Sequence, residues 1–197
     1  MHLSNSRKRR ITVALTQDKM AFGAQEYLAW EAEQIDKHEY AAGEVFAMVG
    51  ARQEHVIVTL NLGSALREHL RGTPCRPLIA DMKLSIQAMD AFFYPDVMVT
   101  CNDADKVADL YIEHPKLIIE VLSDSTSAYD RGTKFAAYRK IESLEEYVLV
   151  DIDRKGVESF RRQPDGLWLL RDFAGGDNCV FESVALTMPM ARVFEDA

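Results

Sequence analysis

Three carboxylates and one lysine carry the chemistry that this chain can offer. Glu120 lies in the middle of the apolar run 116–122. Read as a strand, that run turns Leu117, Ile119 and Val121 to one face and Ile118, Glu120 and Leu122 to the other. A carboxylate between two aliphatic neighbours must be paired, protonated or bound to a cation, because burying a lone charge is strongly unfavourable. Asp96 lies in a second apolar stretch, 92–101, where Phe92, Tyr94, Asp96, Met98 and Thr100 share a side. Glu44 lies in a third, 39–49, on the stripe Tyr40, Ala42, Glu44, Phe46 and Met48. If the three converge, their repulsion raises their pKa values or demands a cation. Oxygen donors of this kind suit Mg²⁺ or Mn²⁺, which polarises a phosphoryl oxygen and lowers the pKa of bound water. Lys134 is the candidate for stabilising charge on a pentavalent phosphorane. With Asp130 and Tyr138 it recurs at i, i+4 and i+8, one stripe on the helix expected after Glu120. Each residue also has a plainer reading. Glu120 suits a buried salt bridge, Asp96 a strand end or turn, and Lys134 a surface pair with Asp130.

The elements that must position these groups follow from periodicity. A helix is read over 24–35 and a strand over 39–49, with Gly43 and Gly50 permitting a bend. The next helix spans 54–70, with Val56, Leu60, Leu66 and Leu70 as its stripe, and Gly72-Thr73-Pro74 ends it. His55 in its first turn reads as an exposed or core histidine, with a substrate or metal contact as the alternative. Strands are read over 75–86, 92–101 and 116–122. Pro95 lacks an N–H, so it marks an edge or a bulge. Residues 102–109 read as an acidic loop. Ser123 to Thr126 offer helix-capping side chains, and the helix runs to about residue 141. Strands follow at 145–151, 157–161, 168–173 and 180–185, with a short helix at 190–194. The order predicts a mixed α/β (α+β) domain, a central sheet flanked by helices with a β-rich C-terminal part.

Composition narrows the partners. The chain has 197 residues and a net charge of −8, although Arg7, Lys8, Arg9 and Arg10 crowd its start. The expected organisation is a basic, flexible tail over 1–20 and one domain over 21–197. A domain that held nucleic acid by bulk electrostatics would be basic, so DNA is expected only as a transient substrate. No apolar run is long enough to span a membrane. Cys75, Cys101 and Cys179 are odd in number and far apart, which reads as free thiols in a reducing cytoplasm and argues against a zinc site.

An ordered set of motifs adds a resemblance. Tyr40…Gly43-Glu44, Glu54-His55, Pro95-Asp96, Ile119-Glu120-Val121-Leu122-Ser123-x-Ser125-Thr126, Asp130…Lys134…Tyr138 and Glu146-Tyr147-x-Leu149-Val150-Asp151 together resemble the Uma-two family of restriction-endonuclease-like proteins, within the PD-(D/E)XK nuclease superfamily. The resemblance covers roughly residues 24–195. It implies a restriction-endonuclease-like fold, Pro95-Asp96 as the PD element, and Glu120 as the acidic residue of the E-x-K element. Glu44 would be the acidic residue ahead of them, and Asp96 and Glu120, with the Val121 carbonyl, would bind the metal. Leu122 occupies the superfamily's lysine position, and the family's lysine falls on the following helix, here Lys134. The expected function is a Mg²⁺-dependent endonuclease acting on DNA. The alternatives are a catalytically inactive nuclease-fold module that binds a partner, and a homodimer assembled through the β-rich residues 156–185.

Overall fold

The strand carrying Glu120 has neighbours on both sides and cores on both faces. It spans Pro115–Leu122 in the computed structural model, which describes residues 23–123 and 126–197. The expected tail over 1–20 lies outside those residues, as do Asp124 and Ser125 of the expected cap. In chain order, α1 (Ala24–Glu31) leads to β1 (His38–Ala41) and β2 (Glu44–Ala47). Next come α2 (Gln53–His69), β3 (Arg76–Ile79), β4 (Lys83–Ile86), β5 (Ala91–Phe93) and β6 (Val97–Thr100). The short α3 (Asp103–Val107) and β7 (Tyr111–Ile112) precede β8 (Pro115–Leu122). One interrupted helix follows: α4 (Ser127–Tyr129), a π turn (Asp130–Lys134) and α5 (Phe135–Tyr138). β9 (Glu146–Asp151), β10 (Gly156–Arg162), β11 (Trp168–Phe173), β12 (Asn178–Phe181) and β13 (Leu186–Pro189) lead to the closing α6 (Met190–Val193).

The strands form a six-stranded sheet, β11-β10-β9-β8-β6-β3, a five-stranded sheet, β2-β1-β5-β4-β7, and the hairpin β12-β13. β8 is parallel to β9 and antiparallel to β6, so the larger sheet is mixed. The expected mixed central sheet is thus present, with a second sheet beside it. Two stretches read as single strands are each broken in the middle. After β3 the chain turns at Ala80, whose φ is 43°, and β4 joins the other sheet. Between β5 and β6, Tyr94-Pro95-Asp96 leaves the ladder, since Pro95 has no N–H to donate. Each break passes the chain between the two sheets, and Asp96 stands at that seam. The alternation expected along 92–101 therefore stops at the break.

The stretch 39–49 also departs from its reading. Ala42 and Gly43, at φ 48° and 89°, form a tight reversal, as two-residue hairpins require. β1 and β2 pair antiparallel, with Glu39 opposite Phe46 and Ala41 opposite Glu44. One expected strand is a hairpin, and its faces are reset at the turn.

The two faces of β8 hold as read. Leu117, Ile119 and Val121 pack with Val58, Leu62 and Leu66 of α2 and with Phe181 and Val193. Ile118 and Leu122 pack with Phe93, Tyr138 and Tyr147. Fully burying such a side chain stabilises by roughly 1.5–3 kcal/mol, so this strand is fixed from both sides. Leu66 and Leu70 of the expected α2 stripe are buried, while Val56 and Leu60 stay exposed and Val58 and Leu62 are buried in the first turns. Gly63 lets α2 approach β3: a Cβ there would meet the Ile79 side chain at 3.1 Å. The structure also pairs Cys75 with Cys101 in a disulfide, correcting the expectation of free thiols. Pairing of Arg76 with Thr100 brings the two cysteines together across the ends of β3 and β6. Cys179 is the free, buried cysteine among the described residues. No described helix is long and apolar enough to cross a membrane.

Candidate active site

Glu120 is 2% exposed, and each of its oxygens takes an internal donor. Oε1 accepts from the Tyr138 hydroxyl at 2.7 Å and from Lys134 Nζ at 3.2 Å. Oε2 accepts from the Asp96 backbone N–H at 3.3 Å. Tyr138 and Lys134 reach it because the helix after β8 folds back on the sheet. They keep the spacing expected for one stripe, although the helix carries a π turn over Asp130–Lys134. Such turns recur at functional sites because they re-aim side chains.

Lys134 is buried among carboxylates. Its Nζ lies 2.9 Å from Glu39 Oε1, 3.2 Å from Glu120 Oε1 and 3.5 Å from Asp130 Oδ1. The rings of Phe93 and Tyr129 lie 5.9 Å from the ammonium. Glu39 also accepts from the Tyr94 N–H, and the Asp130 carbonyl accepts from the Tyr147 hydroxyl. The positions of the lysine's three partners are therefore set by the fold. The surface Asp130–Lys134 pair, the plainer reading, is excluded by burial.

Asp96 is the open side of the cluster. Its Oδ2 accepts from the Val121 N–H at 2.8 Å and lies 3.3 Å from His55 Nε2. The side chains of Asp96 and His55 are 22% and 17% exposed, more than those of Glu120 and Lys134.

Burial is the largest influence on Glu120 and holds its carboxyl well above the usual range. Lys134 opposes that shift, and Asp130 and Asp96 add to it. Asp130 is raised for the same leading reason. Burial pulls the Lys134 ammonium down, yet Glu120, Glu39 and Asp130 together hold it well above its ordinary value. His55 is raised because Asp96 outweighs its burial. Four carboxylates, Glu39, Asp96, Glu120 and Asp130, thus gather around one lysine and one histidine. That excess of negative charge is what a divalent cation offsets.

Among the described residues, no three His, Cys, Asp or Glu side chains converge to hold a metal. Mg²⁺ needs fewer, since it keeps several waters and binds through one or two carboxylates. Asp96 and Glu120 supply carboxylate oxygens, the donor type that this ion takes. The buried Tyr129 hydroxyl, with no hydrogen-bond partner, is a further polar group beside the cluster.

Asp96, Glu120 and Lys134, expected from sequence, stand together. Glu44 does not join the ion pairs of Lys134. It opens β2, half-buried, opposite Ala41, and Glu39 makes the contact instead. Sequence reading missed Glu39 because it ran one strand through the Ala42-Gly43 turn. The glycine in that turn, between two apolar runs, was the available signal. Leu122 lies on the same face as Glu120 but belongs to the apolar core, and Lys134 supplies the cation from the helix.

Comparison with known proteins adds to the geometry. The Uma2 family model, described as "Putative restriction endonuclease", matches residues 24–190. An uncharacterized protein of Synechocystis sp. (strain PCC 6803) is 34% identical over 170 residues, 86% of this chain and 90% of that protein. A second uncharacterized protein of the same organism is 36% identical over 155 residues, 77% of this chain and 87% of that one. The fold is similar to a crystal structure from Anabaena variabilis described as "a putative nuclease belonging to DUF820". The TM-score is 0.73 at 17% identity, over 88% of this chain and 97% of that one.

Proposed function

This chain belongs to the Uma2 family, and from that premise we propose that it is a divalent-metal-dependent nuclease that hydrolyses phosphodiester bonds in DNA. One observation carries the reading above the others. Lys134 Nζ reaches Glu120 Oε1 at 3.2 Å from the following helix, so the cation missing at Leu122 is supplied from elsewhere.

Asp96 and Glu120, with the Val121 carbonyl, would hold Mg²⁺ or Mn²⁺. When bound, such an ion polarises a phosphoryl oxygen and lowers the pKa of bound water. The chain's own residues supply the remaining parts. The Val121 N–H and His55 fix the Asp96 carboxylate, and Tyr138 fixes Glu120. Glu39 and Asp130 hold the Lys134 ammonium in place. Lys134 then stabilises the charge that builds on the phosphoryl oxygens, at a buried site where such a charge acts strongly. The scissile phosphate enters from the exposed side of Asp96 and His55. The acidic chain gives no bulk attraction for DNA, in keeping with brief contact and release.

The test is nicking of supercoiled plasmid with Mg²⁺, with Mn²⁺ and with EDTA. Wild type cleaves only with metal, while Glu120→Ala and Lys134→Ala do not cleave. Equal activity in all three proteins identifies a contaminant and removes the proposal. One observation favours a non-catalytic binding module instead: Lys134 is already shared among three carboxylates. Calorimetric titration separates the two, because a module that has lost catalysis in this way takes up neither Mg²⁺ nor Mn²⁺.

A further inference from the structure

Away from the Glu120 cluster, the C-terminal end of α2 borders a cavity of about 370 Å³. Arg67, Arg71 and Arg76 line it, with Thr73 and the disulfide-bonded Cys75. None of the three arginines forms an ion pair or a side-chain hydrogen bond with a described residue. Of the other described arginines, Arg139 and Arg162 lie over aromatic rings. Arg52, Arg131, Arg154, Arg161, Arg171 and Arg192 each pair with Asp or Glu. The carboxylate beside the group, Glu68, is taken by Arg192 at 2.9 Å. Gly72, at φ +77°, reverses the chain after α2, so that residues of the helix and of β3 line one cavity.

Complementing the helix dipole explains only part of this arrangement. The C-terminal end of a helix carries roughly half a negative charge, and Arg67 in the last turn of α2 answers it. Arg76 lies on β3 and has no such task. Three guanidiniums against half a charge and Glu68, which Arg71 shares with Arg192, leave the cavity positive. Guanidinium forks match phosphate oxygens in geometry as well as in charge.

We propose that this arginine-lined cavity binds a phosphate group. The phosphate comes from a nucleic-acid backbone or from a small free ligand, and both share the oxyanion that the arginines recognise. The backbone source rests on the nuclease reading. His55 and Arg67 to Arg71 lie on and just past one helix, roughly 18–24 Å apart at 1.5 Å per residue. For a duplex lying along the helix that is the rise of about five to seven base pairs, so a duplex cut beside Asp96 carries further backbone phosphates past the arginines.

The test measures binding with EDTA present and about 50 mM salt, so that no cleavage is needed. Anisotropy of a labelled DNA duplex is one arm, and calorimetry with pyrophosphate is the other. Wild type is compared with Arg71→Ala/Arg76→Ala and with Arg67→Ala, and thermal melting verifies that the variants fold. The double variant is expected to bind at least tenfold more weakly, with a salt dependence shallower by about two charges in the DNA arm. A loss confined to DNA assigns the backbone source, and a loss confined to pyrophosphate assigns a small ligand. Unchanged binding in both arms, or no binding by wild type in either, overturns the proposal. Failure to nick plasmid, with this binding intact, removes the nuclease reading and leaves this one standing.

Discussion

Asp105 in α3 and Glu120 in β8 are 5% and 2% exposed, and their surroundings differ in kind. Asp105 is met by donors. Thr100 donates to it at 2.6 Å, and the backbone N–H groups of Glu113 and His114 do so at 3.1 Å. Burial alone would raise its pKa, but those bonds outweigh it and hold the carboxyl below the usual range. Glu120 also meets three donors, but its deeper burial and the nearby charges of Asp130 and Asp96 hold its carboxyl well above that range. The contrast separates a buried acid whose hydrogen bonds outweigh its burial from one on which burial and like charges prevail. A buried acid whose lone pairs are all met stabilises its loop. A buried acid kept among like charges stores an unfavourable field that a cation or substrate relieves.

The largest expected effect breaks the comparison at the site. Glu120→Ala or Lys134→Ala lowers metal-dependent nicking by about a thousandfold. Lys134→Ala also lowers stability by roughly 3–5 kcal/mol, because it leaves buried carboxylates unbalanced. Denaturant unfolding measures that second loss.

Asp105→Asn does the reverse. Activity per folded molecule stays at the wild-type level, while stability at neutral pH falls by about 1.5–3 kcal/mol. The sign with pH follows from the lowered value. The contribution of Asp105 is fully present above 3.8, its unfolded value, and is lost as pH falls through the lower native value. The gap between Asp105→Asn and wild type therefore closes in acid.

Glu120→Gln sharpens the same contrast with the opposite trend. A carboxyl raised in the folded state stabilises most below 4.5, its unfolded value, and loses that contribution as pH rises through the native value. In metal-free protein the melting temperature of Glu120→Gln relative to wild type rises from pH 4.5 to pH 8. A flat or falling difference would mean that Lys134 fully satisfies Glu120.

Smaller effects lie further out. Tyr138→Phe removes the 2.7 Å bond to Glu120 and lowers nicking about tenfold, a typical result of losing the group that orients a ligand. Asp81→Asn, at the well-exposed pair with Lys37, changes stability by less than about 1 kcal/mol and leaves activity unchanged.

Local periodicity carried much of the site into view. The alternation along β8 placed Glu120 on its face, and the spacing of Asp130, Lys134 and Tyr138 survived a π turn that sequence does not signal. Chain reversals were read less well. The turn at Ala42-Gly43 puts Glu39, and not Glu44, against Lys134, and the breaks at Ala80 and Pro95 carry the chain into a second sheet beside the expected mixed one. Pro95 was recognised as a disruption, yet nothing local states that the chain changes sheets there. The Cys75–Cys101 bond, 26 residues apart in sequence, depends on the pairing of β3 with β6, which is a long-range choice.

The central claim is that Asp96 and Glu120 hold a divalent cation beside Lys134. Anomalous diffraction from a crystal soaked in Mn²⁺ tests it most directly. The account predicts a peak between the Asp96 and Glu120 carboxylates, within coordination distance of the Val121 carbonyl, with the Lys134 ammonium still in contact with Glu120. No peak there, with Glu120 still bonded to Tyr138 and Lys134, would contradict it.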